Sequence, residues 1–73
     1  MNNADIIDKI KALRSEKGFS LNDLSRMTGL SKGYLSKIEN ALNFPPLSTL
    51  NRIAIALGVD LTYFFTQSPV IEM

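Results

Sequence analysis

Apolar residues recur at intervals of three and four along most of this 73-residue chain, a spacing that predicts helices. In the first such stretch, residues 5–17, Ile6, Ile10 and Leu13 share one face, and Gly18 follows as a helix-ending residue. No stretch alternates between apolar and polar residues as a half-buried strand does. The pattern therefore predicts an all-α fold.

Two short helices joined by a tight turn are predicted between residues 20 and 39. Ser20 is a favourable N-cap for the first of them, and Asp23 at the N3 position completes an approximate capping box. Leu24 and Met27 are expected to face inward, and Gly29 ends the helix. A spacing this compressed is typical of a helix-turn-helix, whose second helix is shaped to lie in the major groove of DNA.

The second of these helices begins after Ser31 and covers residues 32–40. At about 100° per residue, Leu35 and Ile38 point toward the core. The opposite face carries Gly33, Ser36, Lys37 and Asn40. One side of this helix is therefore predicted to hold the scaffold while the other is presented to a partner.

A fourth helix is predicted after a loop that contains Pro45 and Pro46, because two prolines prevent a helix from continuing through them. Ser48 is expected to cap this helix, and Gly58 to end it. Its inward face carries Leu50, Ile53, Ala54 and Leu57.

A last short helix is predicted after Asp60, with Leu61, Phe64 and Phe65 as its apolar residues. Residues 5–65 then form one domain, with the helix-turn-helix motif at about 21–40. Residues 66–73 have no periodicity and are predicted to be a tail or the start of a linker.

The charge is distributed unevenly along the chain. Residues 9–37 hold seven cations and two acids, a local net charge of +5, whereas the whole chain carries only +1. A basic segment that includes the turn between the two short helices favours nucleic acid as a partner. Solvated helix faces with randomly placed charges are the alternative.

Two charges on the edges of buried faces are predicted to pair. Arg14 follows Ile10 by four residues and so lies at the border of the apolar stripe of the first helix, and Glu39 lies on the flank of the third. A partly buried Arg14–Glu39 ion pair would join these two helices. Two independent surface charges are the alternative.

The composition argues against catalysis and against a metal or cofactor site. The chain has no histidine and no cysteine, which removes the commonest general base, nucleophile and zinc ligands. No apolar run is long enough to span a membrane, and the first residues do not form a signal peptide. We therefore expect a non-enzymatic protein without cofactors, located in the cytoplasm.

A family resemblance follows from these motifs, and it covers roughly residues 10–65. The chain resembles the lambda-repressor-like, Cro/XRE family of helix-turn-helix DNA-binding domains. The similarity is carried by Leu13-Arg14, Leu24-Ser25, Gly29-Leu30-Ser31, Leu35 with Ser36-Lys37-Ile38-Glu39, Ile53-Ala54 and Ala56-Leu57-Gly58-Val59. It implies a compact bundle of five short helices that usually acts as a dimer on a palindromic operator, with the arginine–glutamate pair buried. Residues 28–39 look most like regulators that append a cupin-like sensing domain.

Three positions depart from the family pattern. Leu21 stands where many members have a glutamine that touches DNA, and Ala41 replaces a glycine common after the third helix. An alanine there costs about 1 kcal/mol if the turn needs a left-handed conformation. The loop at residues 42–46 lacks the cations that members often place against phosphates, so a single copy is expected to hold the DNA backbone weakly.

Candidate contacts to DNA lie mainly on the third helix. Lys37 is the first choice for reading a base, since lysine can donate to guanine O6 and N7, although it can also contact phosphate alone. Tyr34 lies near the boundary of the outward face and either packs on the scaffold or binds phosphate. The full predicted set is Ser20, Ser31, Lys32, Gly33, Tyr34, Ser36, Lys37, Asn40 and Asn43.

The chain carries more apolar residues than one small bundle can easily cover. Part of this surplus is predicted to form a dimer patch of Ile55, Leu61 and Phe65, with burial in the core as the alternative. The predicted function is a sequence-specific regulator of transcription that binds double-stranded DNA, as a homodimer on an inverted repeat. A protein–protein interaction module that keeps the fold is the alternative.

Overall fold

The computed structural model describes residues 3–65, and within that range the chain is all-helical. The elements are α1 (Asn3–Glu16), α2 (Leu21–Thr28), α3 (Lys32–Glu39), α4 (Leu47–Leu57) and a 3₁₀ helix (Leu61–Phe65). The predicted tail at 66–73 lies outside the described residues. None of the helices within 3–65 is long and apolar enough to cross a membrane.

The last element corrects the prediction of five short helices in an all-α bundle, because four elements are α-helices and the last is a short 3₁₀ helix. Gly58 has a left-handed conformation that ends α4, and the chain then restarts at Asp60. The Asp60 carbonyl accepts a bond from the amide of Tyr63 at 2.9 Å, and its carboxylate accepts one from the amide of Thr62 at 2.9 Å. The i+3 bond is the pattern of a 3₁₀ helix, and the five-residue length of the element is typical of one.

One core joins all five elements. Its fully buried side chains, each less than 2% exposed, include Ile10, Leu24, Leu35, Ile38, Leu50, Ile53, Leu57 and Phe64. Met27, which the sequence pattern placed inside, is instead exposed, and Thr28 is buried in α2. A buried threonine is tolerated here because its hydroxyl donates to the Leu24 carbonyl at 2.8 Å and accepts from the Leu30 amide at 3.1 Å.

The start of α4 also differs from the prediction. Pro46, rather than Ser48, is the N-cap residue, and no side chain caps the helix. The Pro46 carbonyl accepts bonds from the amides of Thr49 and Leu50, both at 3.0 Å, so the first turn already closes on the proline. Ser48 therefore lies inside the first turn of α4.

Candidate nucleic-acid interface

The turn between α2 and α3 is fixed by backbone conformation and by side-chain caps. Ser20 and Asp23 form the predicted capping box: the Ser20 hydroxyl accepts from the Asp23 amide at 3.0 Å, and the Asp23 carboxylate accepts from the Ser20 amide at 2.9 Å. Gly29 ends α2 with φ +78°, a left-handed conformation that glycine adopts without strain. The Ser25 hydroxyl then donates to the Leu30 carbonyl across the turn. The two helices are therefore held in one geometry.

The capping box also lowers the pKa of the Asp23 carboxyl at the N-terminus of α2. Hydrogen bonds from the Ser20 amide and hydroxyl, aided by Arg26, lower the pKa of Asp23 below its ordinary value. The ionised carboxylate complements the positive end of the helix. Arg26 bonds to it at 2.7 Å, in an exposed pair.

A serine caps α3 as well. The Ser31 hydroxyl accepts from the Tyr34 amide at 3.1 Å, and Ser31 itself has extended backbone angles. Since Ser20 and Ser31 are exposed, the N-terminal ends of α2 and α3 are both accessible to solvent. Exposed helix N-termini attract phosphate groups, so capping is compatible with the predicted role of both serines.

The helix α3 has the two-sided character that its sequence predicts. Leu35 and Ile38 are buried in the core. On the other side, Gly33, Lys37 and Asn40 are exposed and Ser36 is partly exposed. A Cβ added at Gly33 would meet no atom within 4 Å, so this position is open toward solvent. The outward face of α3, defined as Gly33, Ser36, Lys37 and Asn40, therefore presents mixed hydrogen-bonding chemistry to a partner.

Charge on and near this face is not neutralised within the domain. Lys32 and Lys37 are exposed, and within residues 3–65 neither forms an ion pair. The two arginines of the basic segment, Arg14 and Arg26, are by contrast paired with carboxylates. The unneutralised positive charge of the helix-turn-helix is therefore concentrated on α3. Tyr34 is partly buried and packs against the core, whereas Lys32 is exposed in the first turn of α3.

Arg14 and Glu39 form a bidentate ion pair that fixes α3 to α1. Arg14 Nε lies 2.7 Å from Glu39 Oε2, and Nη2 lies 2.9 Å from Oε1. Arg14 Nη1 also donates to the Phe19 carbonyl at 2.7 Å. Hydrogen bonding to Glu39 raises the pKa of Arg14 above its ordinary value despite partial burial. The pair thus connects α1, the following loop and the C-terminal end of α3.

The loop after α3 begins with a left-handed residue that is not glycine. Ala41 has φ +61°. Its amide donates to the Ile38 carbonyl at 3.0 Å, while the Leu42 and Asn43 amides donate to the Lys37 carbonyl at 2.8 and 3.3 Å. Asn43, a predicted contact, is exposed and is held close to the end of α3 by its backbone bond.

The predicted dimer patch is only partly free. Ile55 is 70% exposed and Phe65 40%. Leu61 is half-buried and packs against the core, so it belongs to the scaffold as much as to the surface. Other large apolar residues within the described part of the chain are exposed in addition, namely Met27, Leu42, Phe44, Leu47 and Tyr63.

Sequence reasoning did not find every residue that shapes this site. The role of Thr28 in closing the turn was missed, although a threonine one position before a helix-ending glycine is a usable signal. The hydrogen bond between Asn40 and Ser36, at 3.3 Å, was also not expected. Their separation of four residues places them side by side on a helix and would have indicated it.

Comparison with known proteins matches the sequence to one family. The family described as "Helix-turn-helix domain" matches residues 7–68. The chain is 39% identical over 64 residues to the ImmF control region 10 kDa protein of Bacillus phage phi105, covering 86% of this chain and 71% of that protein. It is 40% identical over 57 residues to the HTH-type transcriptional regulator SlrR of Bacillus subtilis, covering 77% of this chain but only 38% of that regulator.

A solved structure of a helix-turn-helix regulator is also similar to this chain in three dimensions. The crystal structure of SinR, the master regulator for biofilm formation, in complex with DNA superimposes with a TM-score of 0.77 at 35% identity. The match covers 84% of this chain and 98% of that one.

Proposed function

This chain belongs to the Cro/XRE family of helix-turn-helix domains, and from that premise we propose that it is a sequence-specific, double-stranded DNA-binding regulator of transcription. In this proposal α3, extended to residues 32–40, enters the major groove. The observation that carries it is the outward face of α3, where Lys37 is exposed and unpaired while Leu35 and Ile38 anchor the same helix in the core.

The proposed interface divides into base-reading and backbone-binding parts. Lys37 and Ser36 lie on the outward face and are assigned to base edges, with Gly33 allowing close approach of the helix. Lys32, Asn43 and the N-caps Ser20 and Ser31 are assigned to phosphates, which fix the register on the duplex without reading sequence.

We propose further that two copies bind an inverted repeat. One copy offers few phosphate contacts, because residues 41–46 carry no charge and the whole chain carries only +1. Two recognition helices spaced about 34 Å apart on one side of the duplex would double those contacts. The exposed side chain of Ile55, with Phe65, is the proposed contact between the copies.

Binding is tested by selecting sites from a random duplex pool and then competing the selected site against non-specific DNA. The proposal requires a selected consensus and at least a roughly thousand-fold preference for it, the lower end for specific binders. A protein that shows no preference for any duplex would refute the proposal. Capture of another protein without DNA preference would favour an interaction module instead.

The dimer is tested separately by sedimentation on a duplex that holds one selected site. Two chains per duplex are expected, and Ile55→Glu should lower the affinity because it places a charge in the apolar contact. Ile55 is preferred to Leu61 because Leu61 packs on the core, where a charge would also destabilise the fold. Arg52→Ala, which removes an exposed side chain elsewhere on α4, is the control. A one-to-one complex that Ile55→Glu leaves unchanged would refute the dimer.

A further inference from the structure

Ser36 and Asn40 form a connected polar pair on the outward face of α3. The Asn40 Nδ2 group donates to Ser36 Oγ at 3.3 Å. The Asn40 amide also donates to the Ser36 carbonyl at 2.9 Å, which holds the backbone of the two residues in register. The two side chains are therefore linked to each other on the surface of α3.

The direction of this hydrogen bond determines what the Ser36 hydroxyl can still do. A serine hydroxyl has one proton to donate and two acceptor positions, and here it accepts. Serine and threonine within helices commonly give their proton to a nearby backbone carbonyl, as Ser25 and Thr28 do in α2. Within residues 3–65 the Ser36 hydroxyl forms no such bond. Its proton is consequently available to a partner.

The same bond fixes the polarity of the Asn40 side chain. With Nδ2 turned toward Ser36, the amide oxygen Oδ1 lies on the other arm of the same planar group and is free to accept. The pair therefore presents a hydroxyl donor next to a carbonyl acceptor. Lys37, on the same face, can only donate.

Among single bases, only adenine presents an acceptor beside a donor in the major groove. Adenine presents the N7 acceptor next to the N6 amino donor, whereas guanine presents two acceptors, N7 and O6. Guanine would bring O6 against Asn40 Oδ1, two acceptors without a proton between them. We propose that Ser36 and Asn40 together read an adenine, with the Ser36 hydroxyl donating to N7 and Asn40 Oδ1 accepting from the N6 amino group.

Asn40 has a second task in this arrangement, as the positioning residue for Ser36. Without its amide, the Ser36 hydroxyl can rotate and donate to the carbonyl one turn earlier in α3. The proton would then be lost to N7. This inference rests on the proposed function, because it assumes that α3 lies in the major groove.

The test uses the intact chain and its selected duplex with single-atom changes in the adenines. Replacing one adenine of the site by 7-deazaadenine removes only the N7 acceptor. Affinity of the wild-type protein should fall by about 2- to 12-fold at one position, the range for one hydrogen bond. The Ser36→Ala variant should bind the normal and modified duplexes equally, and Ser36→Thr, which keeps a hydroxyl, should restore the difference.

The positioning role has its own readout. Asn40→Ala should bind more weakly and should also lose most of the sensitivity to 7-deazaadenine, although its Ser36 is intact. Replacing the same adenine by purine, which lacks the N6 amino group, should weaken the wild-type complex but not that of Asn40→Ala. Ser15→Ala, at an exposed serine of α1, is the control and should respond to both modified duplexes like the wild type.

The outcomes separate this inference from the function on which it rests. A selected site without a 7-deazaadenine-sensitive position, or equal sensitivity in wild type and Ser36→Ala, would overturn the adenine reading while leaving specific DNA binding intact. An absence of any selected site would overturn the proposed function and this inference with it.

Discussion

Loss of the Arg14–Glu39 pair should destabilise the domain more than any exposed ion pair does. Glu39 is only 8% exposed and Arg14 20%, and the pair is bidentate. If Arg14 is replaced by Met, the Glu39 carboxylate stays buried without the guanidinium that compensates it. Breaking a buried pair in this way costs about 3 to 5 kcal/mol. For a domain of this size that is a large part of the total stability, which is typically about 5 to 15 kcal/mol.

Replacing the acidic partner, Glu39→Gln, should lower the free energy of unfolding by less than Arg14→Met does. In Glu39→Gln the amide keeps the shape of the side chain, and Arg14 retains its bond to the Phe19 carbonyl at 2.7 Å and some contact with solvent. We expect a loss of about 1.5 to 3 kcal/mol, the range for a hydrogen bond to a charged group. The double variant should be less destabilised than the sum of the two single variants, because each removes the same interaction.

Urea unfolding followed by circular dichroism measures these free energies. The expected coupling in a double-mutant cycle is at least about 1 kcal/mol, within the range for residues in direct contact. The matched control is Arg26→Ala, which breaks a pair of the same 2.7 Å length whose arginine is 73% exposed and should cost less than about 1 kcal/mol. A coupling between Arg14 and Glu39 near zero, or equal losses for Arg14→Met and Arg26→Ala, would refute the reasoning.

Three smaller predictions follow from local geometry. Ala41→Gly should raise the free energy of unfolding, measured in urea, by about 0.5 to 1 kcal/mol. Removing the strain of the left-handed conformation should stabilise the folded state by more than the extra conformational entropy of glycine stabilises the unfolded chain. A loss of stability would contradict this. Ser20→Ala should cost about 1 kcal/mol of stability and Ser48→Ala less than about 0.5, because Ser20 caps α2 whereas Ser48 caps no helix; equal losses would contradict this. The pKa values of Asp23 and Asp60 are lowered in the folded protein, so the stability that these carboxylates contribute is present above the ordinary pKa of 3.8 and is lost as the pH falls through the lower folded values. Asp23→Asn should therefore reduce the loss of unfolding free energy at acid pH. An unchanged dependence on acid pH would count against this.

Sequence periodicity predicted the helices well where apolar spacing and glycine stops agree. In α2 and α3, Ser20, Gly29 and Ser31 mark the ends, and the structure has the boundaries at those residues. The apolar faces of α3 and α4 are also the buried ones, because each carries at least two large side chains in register.

The predictions that were wrong concern residue burial and helix ends, which depend on interactions of the fold as a whole. Met27 and Thr28 are adjacent, and apolarity alone favoured burying the methionine; the threonine is inside because its hydroxyl is satisfied by the turn. Ser48 has the right chemistry for a cap but Pro46 already closes the first turn. The last helix is a 3₁₀ helix that begins with an i+3 bond from the Tyr63 amide to the Asp60 carbonyl, and apolar spacing alone does not separate this geometry from an α-helix.

The candidate site was predictable in its position rather than in its detail. The 100° rotation per residue of α3 identifies its outward face from the sequence alone. Side-chain hydrogen bonds such as that between Asn40 and Ser36 depend on rotamers, which periodicity does not specify. The individual contacts to DNA remain predictions.

The most direct test of the proposed function compares the sites selected by Lys37→Ala and Lys11→Ala with those selected by the wild type. Both variants lose one exposed positive charge, but only Lys37 lies on the outward face of α3. We expect Lys37→Ala to select a changed or relaxed consensus, with a loss of about 1 to 3 kcal/mol of discrimination at one position, and Lys11→Ala to select the wild-type consensus. An identical consensus for all three proteins would contradict the assignment of this face of α3 to the bases of the major groove.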